Sequence, residues 1–94
     1  MLDLDGMLSI VMPAYNEEKL IYNSIMETLR IVEKFVPELE IVAVNDGSKD
    51  NTKAEIQRAM REDKRVRIVS SEKNRGKGNA IIAGVSQVEG KYVA

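Results

Sequence analysis

The chain has 94 residues, of which 44% are hydrophobic and 31% charged, with a formal net charge of -1 and neither cysteine nor histidine. That length allows one small domain burying roughly 60–65% of its unfolded surface. The composition excludes disulfides, thiolate metal sites, imidazole bases and Ser-His pairs, and the interspersed charges give no support for a nucleic-acid partner. Only Tyr15, Tyr22, Phe35 and Tyr92 are aromatic, so the core must be aliphatic. No apolar run approaches the ~20 residues of a membrane span, and the N-terminus lacks the basic-then-apolar pattern of a signal peptide. Absence of cysteine fits a reducing, cytoplasmic setting.

Residues 1–7 read as a short acidic leader, frayed or a start-site artefact, with Met7 as a second start. Its Asp3-x-Asp5 has the look of a metal-binding acid pair, yet it precedes the first strand instead of following one. The domain proper is residues 8–94. Leu8 to Met12 is a short strand closed by Pro13, which cannot donate to a ladder. Asn16 is the expected N-cap of a helix whose first turn carries Glu17 and Glu18 at the positive end of its dipole. Ile21, Ile25, Leu29, Val32 and Val36 then form one apolar stripe, ending before Pro37.

Leu39 to Val44 is an apolar, β-branched run expected as a buried strand, and it breaks into Asn45-Asp46-Gly47-Ser48. Thr52-Lys53-Ala54-Glu55 fits a capping box, with Asp50 as the alternative cap. Ile56, Ala59 and Met60 give the helix that follows a short buried face. Val66 to Val69 is a third strand. Gly76-Lys77-Gly78-Asn79 introduces a third helix with an expected apolar face of Ile81, Ile82, Val85 and Val88. Gly84 inside it is a candidate for close approach to the sheet. Lys91 to Ala94 starts a fourth strand.

Strand and helix alternate throughout, the signature of an α/β domain with a parallel sheet and right-handed crossovers. The loops after the first three strands then emerge at one sheet edge, so the topology brings Tyr15, Asp46, Arg75 and Lys77 together. A flat aromatic, a carboxylate able to accept an imide or guanine N–H, and two cations could bind a nucleotide. Each residue also has a plainer reading. Tyr15 could cover a helix end, Asp46-Gly47-Ser48 is a good turn by chemistry alone, and Lys77 could be a solvated loop lysine. Gly-Lys-Gly at a helix start suits phosphate, but it is not a P-loop, and the first strand does not lead into Gly-x-Gly-x-x-Gly. A receiver-like phosphoacceptor domain is disfavoured because no acid follows the first strand.

Three segments resemble those of the inverting family-2 glycosyltransferases of GT-A fold. Residues 9–18, Ser-Ile-Val-Met-Pro-Ala-Tyr-Asn-Glu-Glu, resemble that family's opening strand and loop. Residues 44–52 resemble its VDDGSxDxT segment, and residues 74–80 its NxGxxxA segment in the form seen among polyprenyl- and dolichyl-phosphate sugar transferases. The resemblance implies a Rossmann-like three-layer parallel sheet, the amino-terminal half of a GT-A fold cut at its fourth strand. It also implies binding of a UDP- or GDP-type nucleotide-diphosphate sugar. Pro13, Ala14, Tyr15 and Glu17 match the loop lining the base and ribose, Asp46 the acid that hydrogen-bonds the base, and Lys77 the region near the diphosphate. Asn45 departs from the usual first acid of its pair.

In that family the fourth strand runs into an Asp-x-Asp holding Mg²⁺ or Mn²⁺, and a later acid is the general base. This sequence stops before either. The expectation is therefore a nucleotide-binding portion with no catalytic residue and no metal ligand of its own, inactive as an isolated chain. The intact enzyme is expected to transfer sugar to a polyprenyl phosphate or other acceptor at the cytoplasmic face of a membrane. The reading from another class is a small α/β association module, pairing through the free edge of its last strand at Tyr92 and Val93.

Overall fold

The computed structural model describes residues 5–94. Its elements are β1 (Leu8–Ala14), α1 (Ile21–Val32), β2 (Leu39–Asp46), α2 (Thr52–Glu62), β3 (Val66–Ser71), α3 (Lys77–Val85) and β4 (Tyr92–Val93). All strand pairs are parallel and the sheet order is β3-β2-β1-β4. The expected α/β sheet is thus formed. β2 is buried along its whole length, as a strand covered on both faces should be. The chain steps from β1 outward to β3 and then returns past β1 to β4. Open α/β sheets bind ligands outside the carboxyl ends of their strands at such a change of direction.

Alternation along the strands separates the two faces. Ile10, Met12 and Ala14 of β1, with Leu39, Ile41 and Ala43 of β2, pack against Ile21, Ile25 and Leu29 of α1 and Ile56 and Ala59 of α2. Val11 and Val44 point the other way and meet α3 at Gly84. A Cβ there would lie 2.4 Å from Val11 Cγ1 and 2.9 Å from Val44 Cγ2. The close approach expected at Gly84 is present.

Several local expectations are corrected. β1 runs through Pro13 to Ala14. Ser9 and Val11 exchange backbone hydrogen bonds with Ala94, so alternate residues of β1 face β4. Pro13 is the next in that row, and it has no N–H to give to a ladder. α1 starts at Ile21 instead of at Asn16 and ends at Val32. Asn16 has φ of 52° and cannot be a helical cap residue of the usual kind. Val36 nonetheless completes the buried stripe. The capping box at Thr52 does not form: Asp50 Oδ1 accepts the Thr52 N–H at 2.9 Å, and Glu55 pairs with Arg58 instead.

α3 departs most from its expected packing. Its buried residues are Ala80 and Gly84, while Ile81, Ile82 and Val85 are exposed. The described part of the leader meets the fourth strand. Asp5 pairs with Lys91 Nζ at 2.7 Å and accepts the Tyr92 hydroxyl, and the Met7 carbonyl accepts the Tyr92 N–H. Asp3, with residues 1–4, lies outside the described residues.

At the amino end of the sheet, on the α3 face, Glu40 is 5% exposed. Its carboxylate accepts Ser9 Oγ–H at 2.6 Å, Arg67 Nε–H at 2.8 Å and the Glu89 N–H at 2.7 Å. Ser9 Oγ in turn accepts the Gly90 N–H, and Arg67 donates to the Gln87 carbonyl. Burial opposes the charge on Glu40. Arg67, Ser9 and the Glu89 N–H outweigh it and hold the carboxyl below its ordinary value of 4.5. This network fastens the α3–β4 connection to the sheet.

Candidate functional site

At the carboxyl edge, the loop after β2 is tied to the loop after β1 by four hydrogen bonds. Ser48 Oγ accepts the Asn16 N–H at 3.0 Å, Thr52 Oγ1 the Glu17 N–H at 2.8 Å, and Asp50 Oδ2 the Glu18 N–H at 3.3 Å. Asn16 Oδ1 accepts the Lys49 N–H at 2.9 Å. The free amides that lead into α1 are therefore capped from a different loop, 32–35 residues away in sequence. Burial raises the Asp50 carboxyl, but the bonds from Thr52 and the Glu18 amide more than offset it, so Asp50 titrates below its ordinary value. These bonds set where Tyr15 and Glu17 sit.

The same β2 loop holds the β3–α3 loop. Asp46 Oδ1 accepts the Arg75 N–H at 2.9 Å and Oδ2 the Gly76 N–H at 3.0 Å. The Asp46 carbonyl accepts Asn74 Nδ2–H at 3.2 Å. Gly47 has φ of +67°, and a Cβ on it would lie 2.3 Å from the Asn74 nitrogen. Only glycine allows the two loops to nest this closely. Asn45 serves the turn, accepting the Ser48 N–H and donating to Ser70 Oγ.

Between these loops lies a cavity of about 620 Å³, within the size range of small-molecule sites. Its wall includes Pro13, Ala14, Tyr15, Glu17, Asp46 and Lys77, the residues matched through the family resemblance. Val11, Met12, Asn74, Gly76 and Ala80 complete it. Arg75 is not in this wall. Its amide holds Asp46, and its side chain borders a smaller cavity of about 290 Å³ on the β3 side of Asp46.

The wall is apolar along β1 and α3 and polar at Glu17, Asp46, Asn74 and Lys77, so a flat ring with one polar edge suits it. Among the described residues, no group of three or more His, Cys, Asp or Glu side chains is placed to hold a metal ion. The capping roles of Ser48, Asp50 and Thr52 and the wall positions of Asn74 and Ala80 escape a reading of the sequence alone. Their signal is a run of short polar side chains after a strand, which reads equally well as a local turn.

No described helix is long and apolar enough to cross a membrane. Compared with known proteins, residues 9–94 match the family profile described as Glycosyl transferase family 2. The chain is 41% identical over 91 residues to dolichyl-phosphate beta-glucosyltransferase ALG5A of Trichomonas vaginalis, covering 92% of this chain and 28% of that protein. Among solved structures it is similar to the mannosyltransferase PcManGT of Pyrobaculum calidifontis in complex with GDP-Man and Mn²⁺, with TM-score 0.78 and 24% identity over 92% of this chain and 25% of that one. It is also similar to glucosyl-3-phosphoglycerate synthase of Mycobacterium tuberculosis in complex with UDP, with TM-score 0.69 and 27% identity over 95% of this chain and 32% of that one. The chain thus spans about a quarter to a third of the proteins it matches. With a family match over nearly its whole length and a parallel sheet of GT-A type, the chain belongs to glycosyl transferase family 2.

Proposed function

We propose that this chain is the donor-binding portion of an inverting glycosyltransferase that takes a UDP- or GDP-type sugar nucleotide. The observation that carries this reading is the cavity at the carboxyl edge of the sheet, whose wall contains Pro13, Ala14, Tyr15, Glu17, Asp46 and Lys77 together. In this reading Tyr15 stacks on the base, and a lone pair left on the Asp46 carboxylate accepts a base N–H as a charge-assisted hydrogen bond. Pro13, Ala14 and Glu17 line the base and ribose. Lys77, at the first turn of α3, faces the diphosphate. The divalent ion, Mg²⁺ or Mn²⁺, would neutralise charge on the leaving diphosphate, and none of the described residues is assigned to it. The similarity to a dolichyl-phosphate beta-glucosyltransferase supports a polyprenyl phosphate, or another acceptor, met at the cytoplasmic face of a membrane.

Titration calorimetry with UDP and GDP tests the donor reading. The 94-residue chain is expected to bind one of them, and Asp46→Ala to lose most of that affinity. Equal binding by both proteins would remove Asp46 from the pocket. The same polypeptide is expected to transfer no sugar, and measurable transfer would refute that part of the proposal.

A further inference from the structure

We propose that Asp46, besides meeting a base, is a positioning residue for the opposite, diphosphate side of the cavity; this rests on the donor-site reading above. Asp46 is 4% exposed, and each of its carboxylate oxygens already accepts a backbone N–H, from the consecutive residues Arg75 and Gly76. Its carbonyl takes the Asn74 amide, and Gly47 beside it receives the backbone of Lys73 and Asn74 at contact distance. The loop so held passes through Gly76, at φ of +93°, into α3. Gly76, Lys77 and Ala80 of that segment form the wall facing Pro13, Ala14 and Tyr15. A carboxylate accepts about four hydrogen bonds, so the clamp leaves capacity for a base. Without the clamp, the backbone that carries Lys77 is free to leave the cavity.

Charge makes the inference testable by sign. Asp46→Asn removes a negative charge from a pocket that receives an anion, so electrostatics alone would leave binding of inorganic pyrophosphate unchanged or tighten it. It also sets an amide N–H against one of the two loop N–H groups, which opens the clamp. The expected result is that pyrophosphate and UDP both bind roughly tenfold or more weakly, the range for losing a hydrogen bond to a charged group. Amide exchange at Arg75 and Gly76 should rise while the rest of the sheet keeps its protection. Asn74→Ala, at an exposed residue, loosens the same loop with the carboxylate intact and is expected to weaken pyrophosphate a few-fold.

Weaker UDP binding with pyrophosphate unchanged or tighter in Asp46→Asn would overturn the proposal and leave Asp46 as a base acceptor only. A general loss of protection across the sheet, with no effect of Asn74→Ala on pyrophosphate, would overturn it in favour of a purely structural role. Wild-type protein binding neither UDP nor pyrophosphate would remove the donor-site reading itself, and this inference with it.

Discussion

On the face covered by α1 and α2, Ile21, Ile25, Leu29, Ile41, Ile56 and Ala59 close over one another in a continuous aliphatic core. On the face covered by α3, the buried residues of the helix are Ala80 and Gly84, and Gly84 meets Val11 and Val44. Hydrogen bonds at both ends of the helix supplement that contact. β2 supplies a carboxylate to each end: Asp46 holds the loop entering α3, and Glu40 holds the connection leaving it. Hydrophobic burial is large and non-directional, whereas hydrogen bonds fix position. The first face therefore carries the stability of the domain, and the second sets the placement of the wall that faces Tyr15.

Cutting into the first face should have the largest effect. Ile25 is fully buried between α1 and the sheet, and Ile25→Ala is expected to cost about 3–4 kcal/mol of unfolding free energy. Urea denaturation measures this, and the fraction still folded should bind nucleotide like wild type. On the second face, Gly84→Ala gains helix propensity worth up to ~1 kcal/mol. The new methyl, however, meets Val11 Cγ1 and Val44 Cγ2 inside contact distance. Overpacking should win, with a net loss of about 2 kcal/mol. Here nucleotide affinity should fall as well, because a displaced α3 carries Lys77 and Ala80 with it. If both substitutions reduced stability and binding in the same proportion, the division of labour between the faces would be refuted.

Breaking the distal tether should have a smaller effect, with a defined pH dependence. Glu40→Gln keeps an acceptor for Ser9 but loses the charge facing Arg67, at an expected cost of about 1–2 kcal/mol near neutral pH. The Glu40 carboxyl is depressed in the folded chain, so its contribution is complete above the ordinary value of 4.5. It is lost as pH falls through the folded value. Unfolding curves of wild type and Glu40→Gln should therefore converge on acidification below about pH 4. Curves that stay parallel down to pH 3 would show that the charge on Glu40 is not what holds residues 87–90.

The first face was legible in the sequence because large aliphatic residues at helical spacing have one good destination. The four-strand alternation and the shared loop edge followed from the same patterns. Tyr15, Asp46 and Lys77 came from that shared edge, whereas Pro13, Ala14 and Glu17 came from the family resemblance, which also raised Asp46-Gly47-Ser48 above a turn. What sequence reading missed depends on contacts distant in the chain. Asp50 caps its own helix through Oδ1, yet its Oδ2 and the Thr52 hydroxyl satisfy amides of the β1 loop. Pro13 ends a strand by the usual rule, but here β1 runs through it to Ala14, in register with β2. For α3, size is a poor guide to burial, because the sheet takes Ala80 and Gly84 and leaves both isoleucines of the helix outside.

That last difference gives the smallest expected effect. Ile82 and Gly84 stand two residues apart, and a reading by hydropathy places the first in the core. In the structure Ile82 is 68% exposed, while Gly84 is buried against the valines. Ile82→Ser removes a large apolar side chain without opening a cavity. The expected change in unfolding free energy is within about 0.5 kcal/mol, with pyrophosphate and UDP affinity unchanged. A loss of more than about 2 kcal/mol, the scale of a buried isoleucine, would mean that α3 packs through its large residues. Gly84 would then face outward and Gly84→Ala should be harmless, so the two substitutions measured together decide which side of α3 lies on the sheet.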